Sequence, residues 1–170
     1  MDNTDSLTYK IIGCAMEVYK QLGPGLLESV YEQALIHELK LNDIPVESQV
    51  EIKVNYKGIN ISDNLRLDLL VDDSVIVELK SVEELKPIHH KQLLTYLRLM
   101  NKKVGLLINF NTDNLMDGIR RIVNWIENIL TQNSQNTQKF IGNELKESEH
   151  KRTWIHRICH RLRHDGWRSM

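Results

Sequence analysis

The sequence predicts an α/β domain, a central mixed β-sheet flanked by helices, with elements in the order α-α-β-β-β-β-α-β-α. Two observations carry this. Apolar residues first recur at helical spacing, switch to alternation from residue 46, and return to helical spacing around a short apolar run at 103–110. Turn and breaker residues mark the changes: Gly23-Pro24-Gly25, Asn42-Asp43, Lys57-Gly58, Asp72-Asp73 and Pro87. The 170 residues, 41% hydrophobic and 26% charged, suffice for one ordinary core and have a soluble globular composition.

The elements follow in order. Leu7, Ile11, Cys14, Ala15, Val18 and Leu22 share one face of a helix over 7–22. The Gly-Pro-Gly break ends it, and a second helix covers 26–41 with Leu27, Val30, Tyr31, Ala34, Leu35, Glu38 and Leu41 along a stripe, Glu38 being its polar exception. Val46, Ser48, Val50, Ile52, Val54 and Tyr56 then alternate with polar residues, which predicts one strand over 46–56 with a wet face. Lys57-Gly58 turns it back into Ile59–Ile61. Strands Leu65–Val71 and Ser74–Lys80 pair through a turn at Asp72-Asp73. Pro87 opens a helix running to about Met100, its fixed φ suiting a first turn. Lys103–Phe110 reads as a buried strand. Asn111–Asp113 caps a last helix over 113–130, with Leu115, Ile119, Ile122, Val123, Ile126 and Leu130 on one face. The predicted domain is therefore 1–130, followed by a polar linker at 131–138 and a basic appendage at 139–170.

Charge is divided along the chain. Residues 1–135 carry 14 Lys/Arg against 19 Asp/Glu, and residues 136–170 carry 8 against 4. An acidic domain is not built as a strong non-specific DNA binder, although a local basic patch can still bind. No apolar run approaches the ~20 residues of a membrane helix. The acidic, polar start MDNTDSLTYK is no secretory signal. Cys14 and Cys159 form no pair motif and read as free thiols, which predicts a cytoplasmic protein.

The stretch RLDLLVDDSVIVELK carries the chemistry. Glu78 and Lys80 are two apart on a strand and so project from the same face. A hairpin turning at Asp72-Asp73 brings Asp68 beside them. Two carboxylates and an ammonium then gather among Leu67, Leu69, Val77 and Leu79. Partly buried neighbouring carboxylates repel, which pushes one toward its neutral form. A divalent cation resolves that conflict, and oxygen ligands suit Mg²⁺ or Mn²⁺. Such a metal polarises a phosphoryl oxygen and acidifies a water, while Lys80 holds that water or stabilises phosphate charge. The plain alternative is a set of solvated cross-strand ion pairs, and D-x9-E-x-K is too short a pattern to decide between the two.

The chain also resembles the GxxExxY family of the PD-(D/E)XK nuclease superfamily. Gly25-Leu26-Leu27-Glu28-Ser29-Val30-Tyr31 matches the naming motif. RLDLLV (66–71), VELK (77–80), QLLTYLRL (92–99), GLLINF (105–110) and DGIRRIV (117–123) are similar to further blocks in the same order. The resemblance spans about 7–129 and implies a restriction-endonuclease-like core. It implies that Asp68, Glu78 and the main-chain carbonyl of Leu79 bind metal and that Lys80 is catalytic. The proline of the superfamily's "PD" is Leu67 here.

Several neighbours gain candidate roles. Related nucleases place an acidic residue on a helix before the core strands, which makes Glu28 a further candidate ligand; the macrodipole alone would also favour a glutamate there. Tyr31 lies one turn on and is expected either to pack or to hydrogen-bond in the cleft. Gln92 and Tyr96 share a helix face, and in the superfamily such a Q-x3-Y pair lines the cleft. Gln92 is a catalytic candidate that bonds Lys80, a water or a phosphate, and Tyr96 a substrate-binding one, the plain alternative being an amphipathic helix with Leu93, Leu94 and Leu97 in the core. Arg66 shares the face of Asp68 and is a phosphate-contact candidate. His89, in P-x-H-x-x-Q, is either a substrate contact or a surface histidine. His156, His160 and His164 lie along a helical stripe rather than around a point, so they read as part of a basic tail rather than a zinc site.

The expected activity is metal-dependent phosphodiester hydrolysis of nucleic acid, DNA ahead of RNA. A non-cleaving binding module on the same fold is the alternative, because fold does not establish function. The oligomeric state stays open, a homodimer included, and no membrane association is expected.

Overall fold

The computed structural model describes residues 3–61 and 65–124. Eleven elements lie among them. Helices α1 (Asn3–Leu22) and α2 (Glu28–Leu41) come first. Strands β1 (Val46–Glu51), β2 (Val54–Tyr56), β3 (Ile59–Ile61), β4 (Arg66–Val71) and β5 (Val75–Lys80) follow. Helix α3 (Pro87–Leu99), strand β6 (Val104–Asn109), the short α4 (Leu115–Gly118) and strand β7 (Ile119–Val123) complete the domain.

The α/β reading of the sequence holds. Five strands form one mixed sheet in the order β1-β4-β5-β6-β7. β5 and β6 run parallel, and the other neighbouring pairs are antiparallel. The parallel pair requires a crossover, which α3 supplies. Each face of the sheet has its own core. On one, Ile11, Ala15 and Val18 of α1 and Tyr31, Leu35 and Leu39 of α2 pack on Val75, Val77, Leu79, Leu106 and Ile108. On the other, Leu93, Tyr96 and Leu97 of α3 pack on Leu70, Ile76 and Leu107. The alternation of β5 thus sends Val75, Val77 and Leu79 toward α1 and α2, which leaves Glu78 and Lys80 for the opposite face.

Two turns have the conformation their residues suggest. Lys57-Gly58 and Asp72-Asp73 both place two successive residues at positive φ, the backbone that joins tightly twisted hairpins.

Two elements differ from the sequence expectation. The strand expected over 46–56 is two strands. Ile52 is buried, and its N–H donates to the Leu65 carbonyl at 2.8 Å. Beyond it the chain leaves the main sheet, and among the described residues 54–61 pairs with itself as the β2–β3 hairpin. The helix expected over 113–130 is corrected as well. It ends after one turn at Gly118, and residues 119–123 form β7 on the edge of β6. Ile119, Ile122 and Val123 are β-branched and satisfy either period. The edge of β6 offers them a ladder. Gly118 marks the change, since a Cβ there would lie 2.3 Å from the Asn109 carbonyl oxygen. The rest of that expected helix, the linker at 131–138 and the appendage at 139–170 lie outside the described residues.

Candidate active site

The β4–β5 hairpin builds the site by ending its ladder early. Leu69 pairs with Val77, Leu70 with Ile76 and Val71 with Val75. One position further on, side chains replace the main-chain ladder. The Asp68 N–H donates to Glu78 Oε1 at 3.3 Å, and the Leu79 N–H donates to Asp68 Oδ2 at 2.8 Å. Each carboxylate therefore satisfies a main-chain donor of the opposite strand, and no buried side-chain polar atom is left without a partner among the described residues.

Lys80 reaches the same point. Its Nζ lies 3.4 Å from Glu78 Oε2, 3.8 Å from Glu28 Oε1 and 3.9 Å from Asp68 Oδ2. It also donates to the Leu79 carbonyl at 2.7 Å. Three carboxylates from α2, β4 and β5 thus surround one ammonium. The sequence predicted the meeting of Asp68, Glu78 and Lys80, and the structure places Glu28 with them.

The electrostatics are unbalanced. Glu78 is only 2% exposed. Burial, and then the Asp68 carboxylate, push its carboxyl up to about 7 despite the nearby Lys80. Burial also raises Glu28, with Asp68 and Glu32 adding to the shift and Lys80 opposing it. One ammonium does not neutralise three carboxylates, so the cluster favours additional positive charge or a proton.

The remaining candidates are distributed around this cluster. Gln92 donates from its amide to the Tyr96 hydroxyl at 2.7 Å, so these two are joined to each other on α3. Tyr96 is otherwise buried in the core beneath α3. His89 accepts the Lys86 N–H on Nδ1 at 3.1 Å, at the start of α3. Its ring is held below the usual histidine range by desolvation and then by the charge of Lys80. Arg66 is exposed and turns to the edge strand, donating to the Gln49 carbonyl at 3.2 Å. Tyr31 takes the packing role of the two expected for it. It is fully buried, stacked on Phe110 at 4.3 Å, with its hydroxyl engaged by Gly23 and Leu26.

Two residues that shape the site were not singled out in the sequence. Asn109, the partner of Lys80 across β5 and β6, is buried. Its side chain accepts the Val82 N–H at 3.0 Å and donates to the Val82 carbonyl at 2.7 Å. It thereby holds the chain that leaves β5 just after Lys80. Ser81 donates to the Leu26 carbonyl at 2.6 Å and ties the α1–α2 loop to the same strand end. An asparagine closing the apolar run GLLIN was the only signal for the first. The serine had none.

No curated protein matches the chain. Among solved structures it is similar to that of SSO0001, with 29% identity, a TM-score of 0.44, and coverage of 56% of this chain and 48% of that one. The chain thus spans about half the length of SSO0001. It is also similar to an alkaline exonuclease from Laribacter hongkongensis, with 16% identity, a TM-score of 0.41, and coverage of 79% and 72%. The family described as the PD-(D/E)XK nuclease superfamily matches residues 5–122, from α1 to β7. That match takes in every carboxylate around Lys80, and the chain belongs to the PD-(D/E)XK nuclease superfamily.

Proposed function

We propose that the chain is a phosphodiesterase that hydrolyses nucleic acid at the Asp68–Glu78–Lys80 cluster, with DNA as substrate ahead of RNA. The observation that carries the reading is the position of the Lys80 ammonium, within 4 Å of carboxylates from three separate elements. Sequence similarity in the motif from Gly25 to Tyr31 supports placing the chain in the GxxExxY family, and the free thiol of Cys14 supports a reducing, cytoplasmic setting. No helix among the described residues is long and apolar enough to cross a membrane.

Nucleases of this superfamily generally use divalent metal ions, and the donor set fits one. Hard oxygen donors suit Mg²⁺ or Mn²⁺: the Asp68 and Glu78 carboxylates, the Leu79 carbonyl, and Glu28 as a further ligand. As they stand, no three acidic, histidine or cysteine side chains of the described residues are grouped tightly enough to hold an ion. Lys80 occupies the middle of the group. The pKa of Glu78, raised to about 7, supports the fit, because a buried like-charged pair is relieved by a cation.

A bound Mg²⁺ or Mn²⁺ supplies Lewis acidity and a more acidic water. The protein's own residues do the rest. Asp68 and Glu78 keep fixed positions because each is bonded to the opposite strand. Lys80 offers an ammonium, partly shielded from solvent, to the negative charge that develops on phosphate. Gln92, Arg66 and His89 are the residues proposed to meet the substrate, and the buried Tyr96 is proposed to act through the Gln92 amide bonded to its hydroxyl. Tyr31 acts from beneath rather than by contact.

Incubation of the purified chain with labelled single- and double-stranded DNA and RNA, in Mg²⁺, Mn²⁺ or EDTA, tests the reading. The expected result is cleavage that EDTA and Asp68→Ala both abolish. Cleavage that persists in Asp68→Ala would place the chemistry elsewhere. Binding of nucleic acid without cleavage in any metal would favour a non-cleaving module.

A further inference from the structure

The loop that delivers Glu28 to Lys80 has little apolar anchorage of its own. Between α1 and α2, residues 23–27 turn through two left-handed glycines, Gly23 at φ 67° and Gly25 at φ 95°. Leu26 is exposed and Leu27 is 74% exposed. Leu27 caps α2 without a side-chain hydrogen bond. Burial therefore does not hold this segment, and its placement falls to polar contacts.

Those contacts converge from two sides. Tyr31 lies one turn beyond Glu28. Its hydroxyl donates to the Gly23 carbonyl at 2.7 Å and accepts the Leu26 N–H at 3.0 Å. One phenol oxygen thus joins the start of the loop to its end. The ring beneath is fixed by stacking on Phe110, the residue whose N–H donates to the Lys80 carbonyl at 2.8 Å. From the other side, Ser81 Oγ donates to the Leu26 carbonyl at 2.6 Å. Both anchors are built on the strand end that carries Lys80, one adjacent to that residue in sequence and the other stacked on Phe110, whose N–H bonds the Lys80 carbonyl. The loop is thus referenced to Lys80 and not only to its own helix.

We propose that Tyr31 and Ser81 are positioning residues that latch the α1–α2 loop and hold Glu28 as the third carboxylate facing Lys80 and the cation. This rests on the reading above that Glu28 faces a bound ion. Gly25, Glu28 and Tyr31 then have separable duties. The glycine makes the left-handed turn, the glutamate supplies the carboxylate, and the tyrosine ties the turn to the core. Carboxylates that meet a metal need partners that fix their orientation, and removal of such a partner typically weakens metal binding by roughly 10- to 100-fold.

Calorimetric Mn²⁺ titration of the full chain tests the latch. The variants are Tyr31→Phe, Ser81→Ala, Glu28→Gln and the double variant of Tyr31→Phe with Glu28→Gln. Tyr31→Phe keeps the stacked ring and removes both hydroxyl contacts. Ser81→Ala leaves the Tyr31 packing untouched, so it serves if the tyrosine variant folds poorly. The expected result is a loss of roughly tenfold in Mn²⁺ affinity for each single variant. In the Glu28→Gln background, Tyr31→Phe adds less than about twofold, because it acts through Glu28. A latch that merely supports the fold would lower the unfolding midpoint in both backgrounds without this dependence on Glu28. Losses that multiply in the double variant overturn the proposal, as does unchanged affinity in both Tyr31→Phe and Ser81→Ala. If Glu28→Gln binds Mn²⁺ normally while Asp68→Ala does not, the latch fails and the nuclease reading stands. A wild-type chain that takes up no Mn²⁺ overturns both.

Discussion

Asp68 and Glu78 face each other where the β4–β5 ladder stops, and each carboxylate takes a main-chain N–H of the other strand. Glu78 Oε1 accepts from the Asp68 N–H and Asp68 Oδ2 from the Leu79 N–H. The bonds fix both side chains before anything binds. They also keep two like charges close together in a place where Glu78 is nearly sealed from water.

That arrangement predicts a pH dependence. The Glu78 carboxyl is raised to about 7 from an ordinary value near 4.5, by burial first and by Asp68 second. Between those two values the folded chain keeps a proton that the unfolded chain has lost. Stability of the metal-free protein therefore falls as pH rises from about 4.5 to about 7, and this contribution is flat above. The shift corresponds to at most about 3 kcal/mol. Glu78→Gln retains an acceptor for the Asp68 N–H and removes the titration. Urea unfolding in EDTA at pH 5 and pH 8 is expected to show a smaller drop for Glu78→Gln than for the wild type. Equal drops would contradict the assignment.

Replacing Asp68 separates structure from ion binding. Asp68→Ala strands the Leu79 N–H in a mostly buried place, and an unpaired buried donor costs about 1–3 kcal/mol. Asp68→Asn keeps an oxygen acceptor there and loses the charge. The expectation is that urea unfolding shows Asn to be clearly more stable than Ala, while both lose Mn²⁺ binding in calorimetry. An Asn variant that binds Mn²⁺ like the wild type would remove Asp68 from the ligand set.

The two tightly placed glycines are expected to respond differently to alanine. At Gly118 a Cβ would lie 2.3 Å from the Asn109 carbonyl oxygen, which is fixed main chain. At Gly105 it would lie 2.8 Å from Cδ1 of Leu93, the end of a flexible side chain. Gly118→Ala should therefore cost more than about 2 kcal/mol and Gly105→Ala less, read from urea midpoints. Because Asn109 also holds the chain after Lys80, Gly118→Ala is expected to lower Mn²⁺ affinity as well. Equal, small costs at both positions would contradict the placement of β7.

Divalent metal should stabilise the fold. A ligand bound only by the native state adds RT ln(1 + [L]/Kd), about 2.7 kcal/mol at one hundred times Kd. Thermal unfolding in Mn²⁺ against EDTA is expected to show a higher midpoint for the wild type and no shift for Asp68→Ala. A metal-induced rise that survives in Asp68→Ala would point to a different ion site.

Much of this was legible in the sequence. The period of two in SVIVELK put Glu78 and Lys80 on one face, and Asp72-Asp73 supplied the turn that brought Asp68 to them. What the pattern lacked was any sign that the ladder opens at that point, because opening depends on side chains competing with main chain across two strands. Residues 119–123 read as helix in the sequence because Ile119, Ile122 and Val123 suit a helical stripe as well as an edge strand. The open edge of β6 and the close approach of Gly118 to Asn109 decide between them, and both are tertiary facts. Tyr31 lay on the right stripe for either a cleft or a core, and Phe110, distant in sequence, settles it as core. Ser81 and Asn109 act through loops that fold onto them, so the serine left no trace in the sequence and the asparagine only its place at the end of an apolar run.

The most direct test of the central claim is single-turnover cleavage by Lys80→Ala at saturating Mn²⁺, with Mn²⁺ binding verified on the same sample. The account predicts a variant that folds and binds the ion yet cleaves at least about 100-fold more slowly, the usual scale for removing one group that stabilises developing charge. Cleavage by Lys80→Ala at the wild-type rate would contradict it and move the reacting phosphate away from the Asp68–Glu78–Lys80 cluster.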